Sequence, residues 1–172
     1  MSNITILQGD ITQAKVDAIV NAANTGMLGG GGVDGAIHKA AGPRLLDECK
    51  KVNSVNGIRC PFGEARITSA GDLACKYVIH TVGPIYNQTA NPAAILISAY
   101  KNSLKLAQVY NCTSIAFPAI SCGVYRYPLD EAASIALDVC SKEAFKALEI
   151  KFYLFNNDII AVWRKALELR NS

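Results

Sequence analysis

Within fourteen residues the chain places two asparagines, four consecutive glycines and an aspartate: Asn21-Ala22-Ala23-Asn24, then Gly29-Gly30-Gly31-Gly32-Val33-Asp34. A glycine run loses much conformational entropy on folding. A fold keeps one where the backbone must approach a ligand closely or adopt positive φ. Apolar Ala18-Ile19-Val20 precedes the run, and Gly35-Ala36-Ile37-His38-Lys39-Ala40-Ala41, of helix-forming composition, follows it. The order is strand, glycine loop, helix. A helix start offers free N–H groups and the positive end of the helix dipole, which together suit a phosphate. Asn24 and Asp34 then face the bound molecule. The competing reading is a flexible loop, and the ordered flanking residues argue against it.

The elements that must position these groups are legible as alternating apolar and amphipathic stretches. Strands are expected over residues 4–7, 16–20, 64–68, 77–82, 114–117 and 150–155. Helices are expected over 37–41, 43–52, 92–108, 129–147 and 158–169. Strands alternating with helices predict an α/β fold, a central sheet, largely parallel or mixed, with helices on both faces. The continuous rather than alternating apolar strands agree with burial on both sides. In open α/β sheets, ligands bind beyond the carboxyl ends of the strands. Asp10 follows the first strand, Asn24 the second, Ser121-Cys122-Gly123-Val124-Tyr125 the fifth and Phe155-Asn156-Asn157-Asp158 the sixth. A carboxylate, an amide, two glycine-containing loops and an aromatic ring in one crevice suit an adenine nucleotide. The carboxylate accepts from the adenine amino group, the ring stacks on the base, and backbone N–H groups cradle a diphosphate. Each member also has a blander reading: Asp10 capping the turn at Ile11-Thr12, Phe155 as core, residues 121–125 as an ordinary connection. Their joint placement carries the inference.

Composition narrows the field. A chain of 172 residues reads as one domain, residues 1–172. Apolar content of 51% and charged content of 18% fit a packed α/β protein rather than a disordered one. The net charge is +3 and no basic run exceeds two residues, as in Lys50-Lys51, which argues against sequence-specific nucleic-acid binding and allows an anionic small ligand. Met1-Ser2-Asn3-Ile4-Thr5 lacks the pattern of a secretory signal, and no apolar run reaches the roughly 18 residues of a membrane span. None of the six cysteines lies in a C-x-x-C pair. Free thiols, a cytoplasmic location and no membrane partner are the expectations. No Gly-Lys-Ser/Thr follows the glycines, so they are not a Walker loop. The two histidines, His38 and His80, sit in no metal-ligand pattern, and no metal or cofactor is expected. A Cys122–His80 dyad is conceivable because both follow apolar stretches. His80 within Val78-Ile79-His80-Thr81-Val82 reads better as a satisfied core histidine, and His38 as packing on the helix after Asp34.

With these residues in place, the chain resembles the macrodomain superfamily, and most closely its MacroD-type branch. That branch includes bacterial O-acetyl-ADP-ribose deacetylases and mono-ADP-ribosyl hydrolases. The matching segments are Gln8-Gly9-Asp10-Ile11-Thr12, Val20-Asn21-Ala22-Ala23-Asn24, residues 29–38, Ala41-Gly42-Pro43, His80-Thr81-Val82-Gly83-Pro84, and Phe117-Pro118-Ala119-Ile120-Ser121 through Gly123-Val124-Tyr125. The resemblance implies a three-layer α/β/α sandwich around a mixed, mostly parallel six-stranded sheet. It implies ADP-ribose and acyl-ADP-ribose as ligands, with mono-ADP-ribosylated proteins as further partners; the oligomeric state stays open, a monomer being favoured. By position Asp10 holds the adenine amino group, the Ile11 amide orients the base and Phe155 stacks near it. Gly30, Gly31, Gly32 and Val33, with Ser121, Cys122, Gly123, Val124 and Tyr125, wrap the diphosphate and distal ribose, and Asn24 binds the ribose hydroxyls. The implied reaction is hydrolysis of an acyl ester on the distal ribose, with Asn24 and Asp34 as catalytic residues. Asp34 acts as general base or water-positioning group, and Asn24 orients without charge.

Three questions stay open at this level. A helix N-terminus favours the ionised Asp34 and a nearby diphosphate opposes it, so the sign of its pKa shift is undetermined. Activation of the water by a substrate phosphate competes with activation by Asp34, and a helix-capping role competes with both. A non-catalytic ADP-ribose reader is the alternative to an enzyme; the Asn24 and Asp34 pair speaks for the enzyme. Two departures from the family pattern are Cys122, where threonine or a small residue is common, and Arg126, where a small residue is common.

Overall fold

The computed structural model describes residues 3–171. Six strands form one sheet in the order β1-β6-β5-β2-β4-β3. They are β1 (Ile4–Gln8), β2 (Ala18–Ala22), β3 (Ala65–Ser69), β4 (Tyr77–Thr81), β5 (Ser114–Phe117) and β6 (Glu149–Leu154). All pairings are parallel except that of β3 with β4, so the sheet is mixed. The helices are α1 (Gly32–Ala41), α2 (Pro43–Lys50), α3 (Pro92–Val109), α4 (Leu129–Cys140) and α5 (Asn157–Asn171). The result is a three-layer α/β/α sandwich.

The period-two geometry of the strands sorts the core into two halves. Val20, Ile79, Ile115, Phe117 and Phe152 face α3, α4 and α5, packing with Leu96, Tyr100, Leu104 and Trp163. Their chain neighbours Ile19, Val78 and Ala116 face α1 and α2, packing with Ile37, Leu45 and Cys49. Both faces being covered explains why β2, β4 and β5 read as unbroken apolar runs. Capping is explicit on α3: Pro92 occupies its first turn, and the Asn91 side chain accepts from the Ala94 N–H at 3.2 Å.

Several boundaries move, for physical reasons. β2 begins at Ala18 and runs through Asn21 and Ala22, so Asn21 lies inside the sheet rather than beyond it. α1 starts at Gly32, five residues before the expected start at Ile37; the cost of helical glycine is accepted where the helix end must stay bare. The helix expected over 129–147 stops at Cys140. A 3-10 turn at Glu143–Phe145 follows, because the chain must bury Phe145 and Leu148 and feed the parallel strand β6. β6 ends at Leu154, which leaves Phe155 past the strand. All six cysteines are unpaired. No helix among the described residues is long and apolar enough to cross a membrane.

Candidate functional site

Adjacent parallel strands β5 and β2 send their connections to opposite faces, β2 into α1 and β5 into α4, which opens a crevice above their carboxyl ends. The crevice is a cleft of about 940 Å³. Asp10 and Ile11 enter it from the end of β1, Asn24 and the glycine loop from β2, residues 121–125 from β5, and Phe155 from β6. The structure brings the expected catalytic and ligand-binding residues into this one cleft: Asp10, Ile11, Asn24, Gly30, Gly31, Gly32, Val33, Asp34, Ser121, Cys122, Gly123, Val124, Tyr125 and Phe155 all line it.

Asp10 serves two ends at once. Its Oδ1 accepts from the Thr12 N–H at 2.9 Å and the Thr12 hydroxyl at 2.8 Å, which is the capping role. Its Oδ2 has no partner among the described residues and remains available to a ligand. Phe155 is 78% exposed, which removes the reading of it as core. Its ring and that of Tyr153, also lining the cleft, give this end a flat apolar surface. Two loops supply donors. The backbone N–H groups of Gly30 to Val33, and of Gly123 to Tyr125, find no protein acceptor among the described residues. Ser121 holds the second loop in a sparsely populated conformation, at φ 66°, tied down by its hydroxyl donating to the Pro84 carbonyl at 2.8 Å. Val124, 90% exposed, stands on the rim.

Asn24 is structural as well as accessible. Its Nδ2 donates to the Gly29 carbonyl at 3.0 Å, and its Oδ1 accepts from the Met27 N–H at 3.1 Å, so the side chain braces the glycine loop. An amide nitrogen carries two hydrogens, which leaves one for the cleft. A methyl group built on Gly30 would lie 3.0 Å from Asp34 Oδ2 and 3.3 Å from Asn24 Nδ2. Both side chains therefore reach the same point, and the absence of a side chain at Gly30 keeps it open.

Asp34 does not cap its helix. Gly31 is the N-cap residue, and Asp34, only 4% exposed, turns its Oδ1 inward to accept from Asn21 Nδ2 at 2.8 Å. His38 Nε2, one turn on, lies 3.5 Å from the same oxygen. Burial raises the Asp34 pKa, while the Asn21 hydrogen bond and the His38 ring pull against that rise. This answers the question of sign for the protein alone: the carboxylate is a stronger base than an exposed one. Its charge in turn adds to burial in raising the Tyr125 pKa.

Behind Asp34 lies a set of groups outside the expected site residues: Asn21, His80 and Thr68. Asn21 Nδ2 is 3.2 Å from His80 Nδ1, and Thr68 Oγ1 is 3.0 Å from His80 Nε2. Burial depresses the His80 pKa to about 3, so it is the core histidine expected, and its nitrogens are engaged. The Cys122–His80 dyad is thereby excluded: the thiol facing the His80 ring belongs to Cys49, that facing its carbonyl to Cys60, and burial pushes the Cys122 thiol up to about 12. Strand parity was the signal available for Asn21, since it shares a face with Ile19 and neighbours His80 in register. Tyr153, near the end of β6, and Ile159, in the first turns of α5, also line the cleft without having been singled out, because apolar residues inside strands and helices look like core.

Comparison with known proteins places this geometry in context. Residues 20–136 match the family described as Macro domain. The chain is 59% identical over 167 residues to macro domain-containing protein VPA0103 of Vibrio parahaemolyticus, covering 97% of this chain and 98% of that protein. It is 57% identical over 141 residues to a protein of Escherichia fergusonii named O-acetyl-ADP-ribose deacetylase, covering 81% of this chain and 79% of the relative. Among solved structures it is similar to the Oceanobacillus iheyensis macrodomain with ADP, with a TM-score of 0.92 and 44% identity over 96% of this chain and 90% of that one. The Trypanosoma brucei macrodomain in complex with ADP-ribose gives a TM-score of 0.84 and 40% identity, over 96% and 69% of the two chains.

Proposed function

The chain belongs to the macro domain family, and from that premise we propose that it binds ADP-ribose and hydrolyses acyl esters on the distal ribose. The observation that carries the reading is the point above Gly30 that Asn24 and Asp34 both reach, at the end of a cleft lined by two loops of free N–H groups. The relative named O-acetyl-ADP-ribose deacetylase and the macrodomain solved with ADP-ribose support it.

In this reading the adenine lies between Asp10 and Phe155, the Asp10 Oδ2 accepting from its amino group. The diphosphate lies against the N–H groups of residues 30–33 and 123–125, where donors are already oriented and no water need be rearranged. The positive end of α1 adds to that site. The distal ribose then reaches Asn24, whose free amide hydrogen meets a hydroxyl. A water held by Asp34 attacks the acyl carbon and its proton passes to the carboxylate. The ester C–O bond breaks, and the proton returns to the departing ribose oxygen. Acetate or a glutamate side chain leaves as the acid.

The test uses a protein esterified with ADP-ribose on glutamate, and O-acetyl-ADP-ribose as a second substrate. Wild type releases ADP-ribose or acetate. Asp34→Ala and Asp34→Asn lose roughly 10²–10⁴-fold in rate, the scale of one proton-transfer group, while calorimetry still reads ADP-ribose binding. Full activity in Asp34→Asn would reduce Asp34 to an orienting group and move water activation to the substrate phosphate. Binding without turnover by wild type would make the protein a reader of ADP-ribose.

A further inference from the structure

We propose that His80 is a positioning residue: acting through Asn21, it decides that Asp34 faces an N–H donor rather than a carbonyl oxygen, and so keeps Asp34 able to accept a proton. The inference rests on the role given to Asp34 above, and goes beyond it to a buried group that touches no ligand.

The direction of each hydrogen bond follows from one end of the chain. The Ser69 carbonyl only accepts. The Thr68 hydroxyl lies 3.0 Å from it and spends its hydrogen there. Assigning that hydrogen to Ser69 makes Thr68 Oγ1 the acceptor from His80 Nε2, at 3.0 Å. His80 is fully buried and neutral, so with its hydrogen on Nε2 its Nδ1 is bare. A bare Nδ1 accepts from Asn21 Nδ2 at 3.2 Å, and the second amide hydrogen is then delivered to Asp34 Oδ1 at 2.8 Å. Register makes this chain possible. Asn21 pairs with His80 across β2 and β4, and Thr68, opposite Val78 on β3, is the diagonal neighbour of His80 on the same face.

The amide oxygen sharpens the point. Asn21 Oδ1 is buried with no hydrogen-bond partner. It does nothing to hold the amide in place, and leaving it bare is costly. A reversed amide would set its carbonyl against both His80 Nδ1 and Asp34 Oδ1, which is tolerable only if each of those carries a proton. The amide thus has two settings, one matched to an ionised Asp34 and one to a neutral acid, and the His80 tautomer selects the first. The other titratable groups facing this cluster are His38 on α1, 3.5 Å from Asp34, Tyr125 on the loop after β5, and Cys49 on α2. Cys49 Sγ lies 3.8 Å from His80 Nε2, and its thiol, raised to about 11, brings no charge.

The experiment follows the unliganded protein and the enzyme in parallel. In wild type, nitrogen NMR of the imidazole finds His80 protonated on Nε2 and not on Nδ1. In Thr68→Val, and in His80→Phe where it folds, the Asp34 carboxyl titrates about one unit higher by carbon NMR. The acid limb of the kcat profile moves up with it, and ADP-ribose affinity is unchanged. His80→Asn, whose carbonyl oxygen can take the place of Nδ1 as acceptor, restores both. An Nδ1–H tautomer in wild type, or an unshifted Asp34 in folded Thr68→Val, overturns the proposal. Should wild type bind ADP-ribose without turnover, the function proposed above fails, and the carboxyl titration still decides the role of His80.

Discussion

At the scale of single residues, burial does most to set the chemistry. Asp34 and His80 are both enclosed, and enclosure disfavours the charged form of each. For Asp34 that makes a base; for His80 it makes a neutral relay. The His80 shift is also a statement about stability. Its folded pKa, near 3, lies below the unfolded value of 6.5, so below 6.5 the unfolded chain binds a proton that the native state refuses. Stability from this group is complete above pH 6.5 and is lost as pH falls toward 3, at about 1.4 kcal/mol per unit. Urea denaturation between pH 7 and pH 4.5 should show a steeper acid loss in wild type than in His80→Asn, which has nothing to titrate there. Parallel curves would mean that the ring is protonated in the folded protein.

At the scale of elements, the decisive feature is how α1 leaves β2. Entering the helix at Gly32 exposes the N–H groups of the loop, and close packing of the loop against the first turn holds them there. A Cβ on Gly35 would sit 2.6 Å from the Gly30 carbonyl oxygen, a backbone atom that cannot swing aside. Gly35→Ala should therefore push Gly30 outward, into the space that Asn24 and Asp34 share. The expected result is a loss of ADP-ribose affinity of at least about tenfold, or roughly 1.4 kcal/mol, with the helix content by circular dichroism retained. Unchanged affinity would show that the loop adapts. The same packing explains why Asn24 makes a poor probe of the proposed chemistry: replacing it also frees the Gly29 carbonyl and leaves the Met27 N–H only the Asn24 backbone carbonyl.

At the scale of the whole molecule, the cleft is held open by a sheet clamped between two packed layers. Phe152 stacks on Phe117 at 5.6 Å between ring centroids and meets Tyr100 and Trp163 at 6.2 Å, tying β5 and β6 to α3 and α5. Phe152→Ala should cost about 3–5 kcal/mol in urea unfolding; a cost below about 1 kcal/mol would mean that this layer collapses onto the cavity. Much of this plan is readable in the chain itself. The order of elements, the residues at the strand ends and the membership of the cleft follow from apolar runs punctuated by glycine, proline and polar residues, because those signals are local. The helix overrun past Cys140 and the late start given to α1 were misread for the converse reason: helix-forming composition continued past Cys140 where tertiary burial of Phe145 and Leu148 broke it, and glycine hid a real helix start. What only the tertiary structure decided is the chemistry of Asp34. Its partner Asn21 is thirteen residues away and His80 fifty-nine from Asn21, joined by the pairing of β2 with β4. A sequence states which groups can donate or accept; strand register decides which of them meet, and burial decides which of them carry charge.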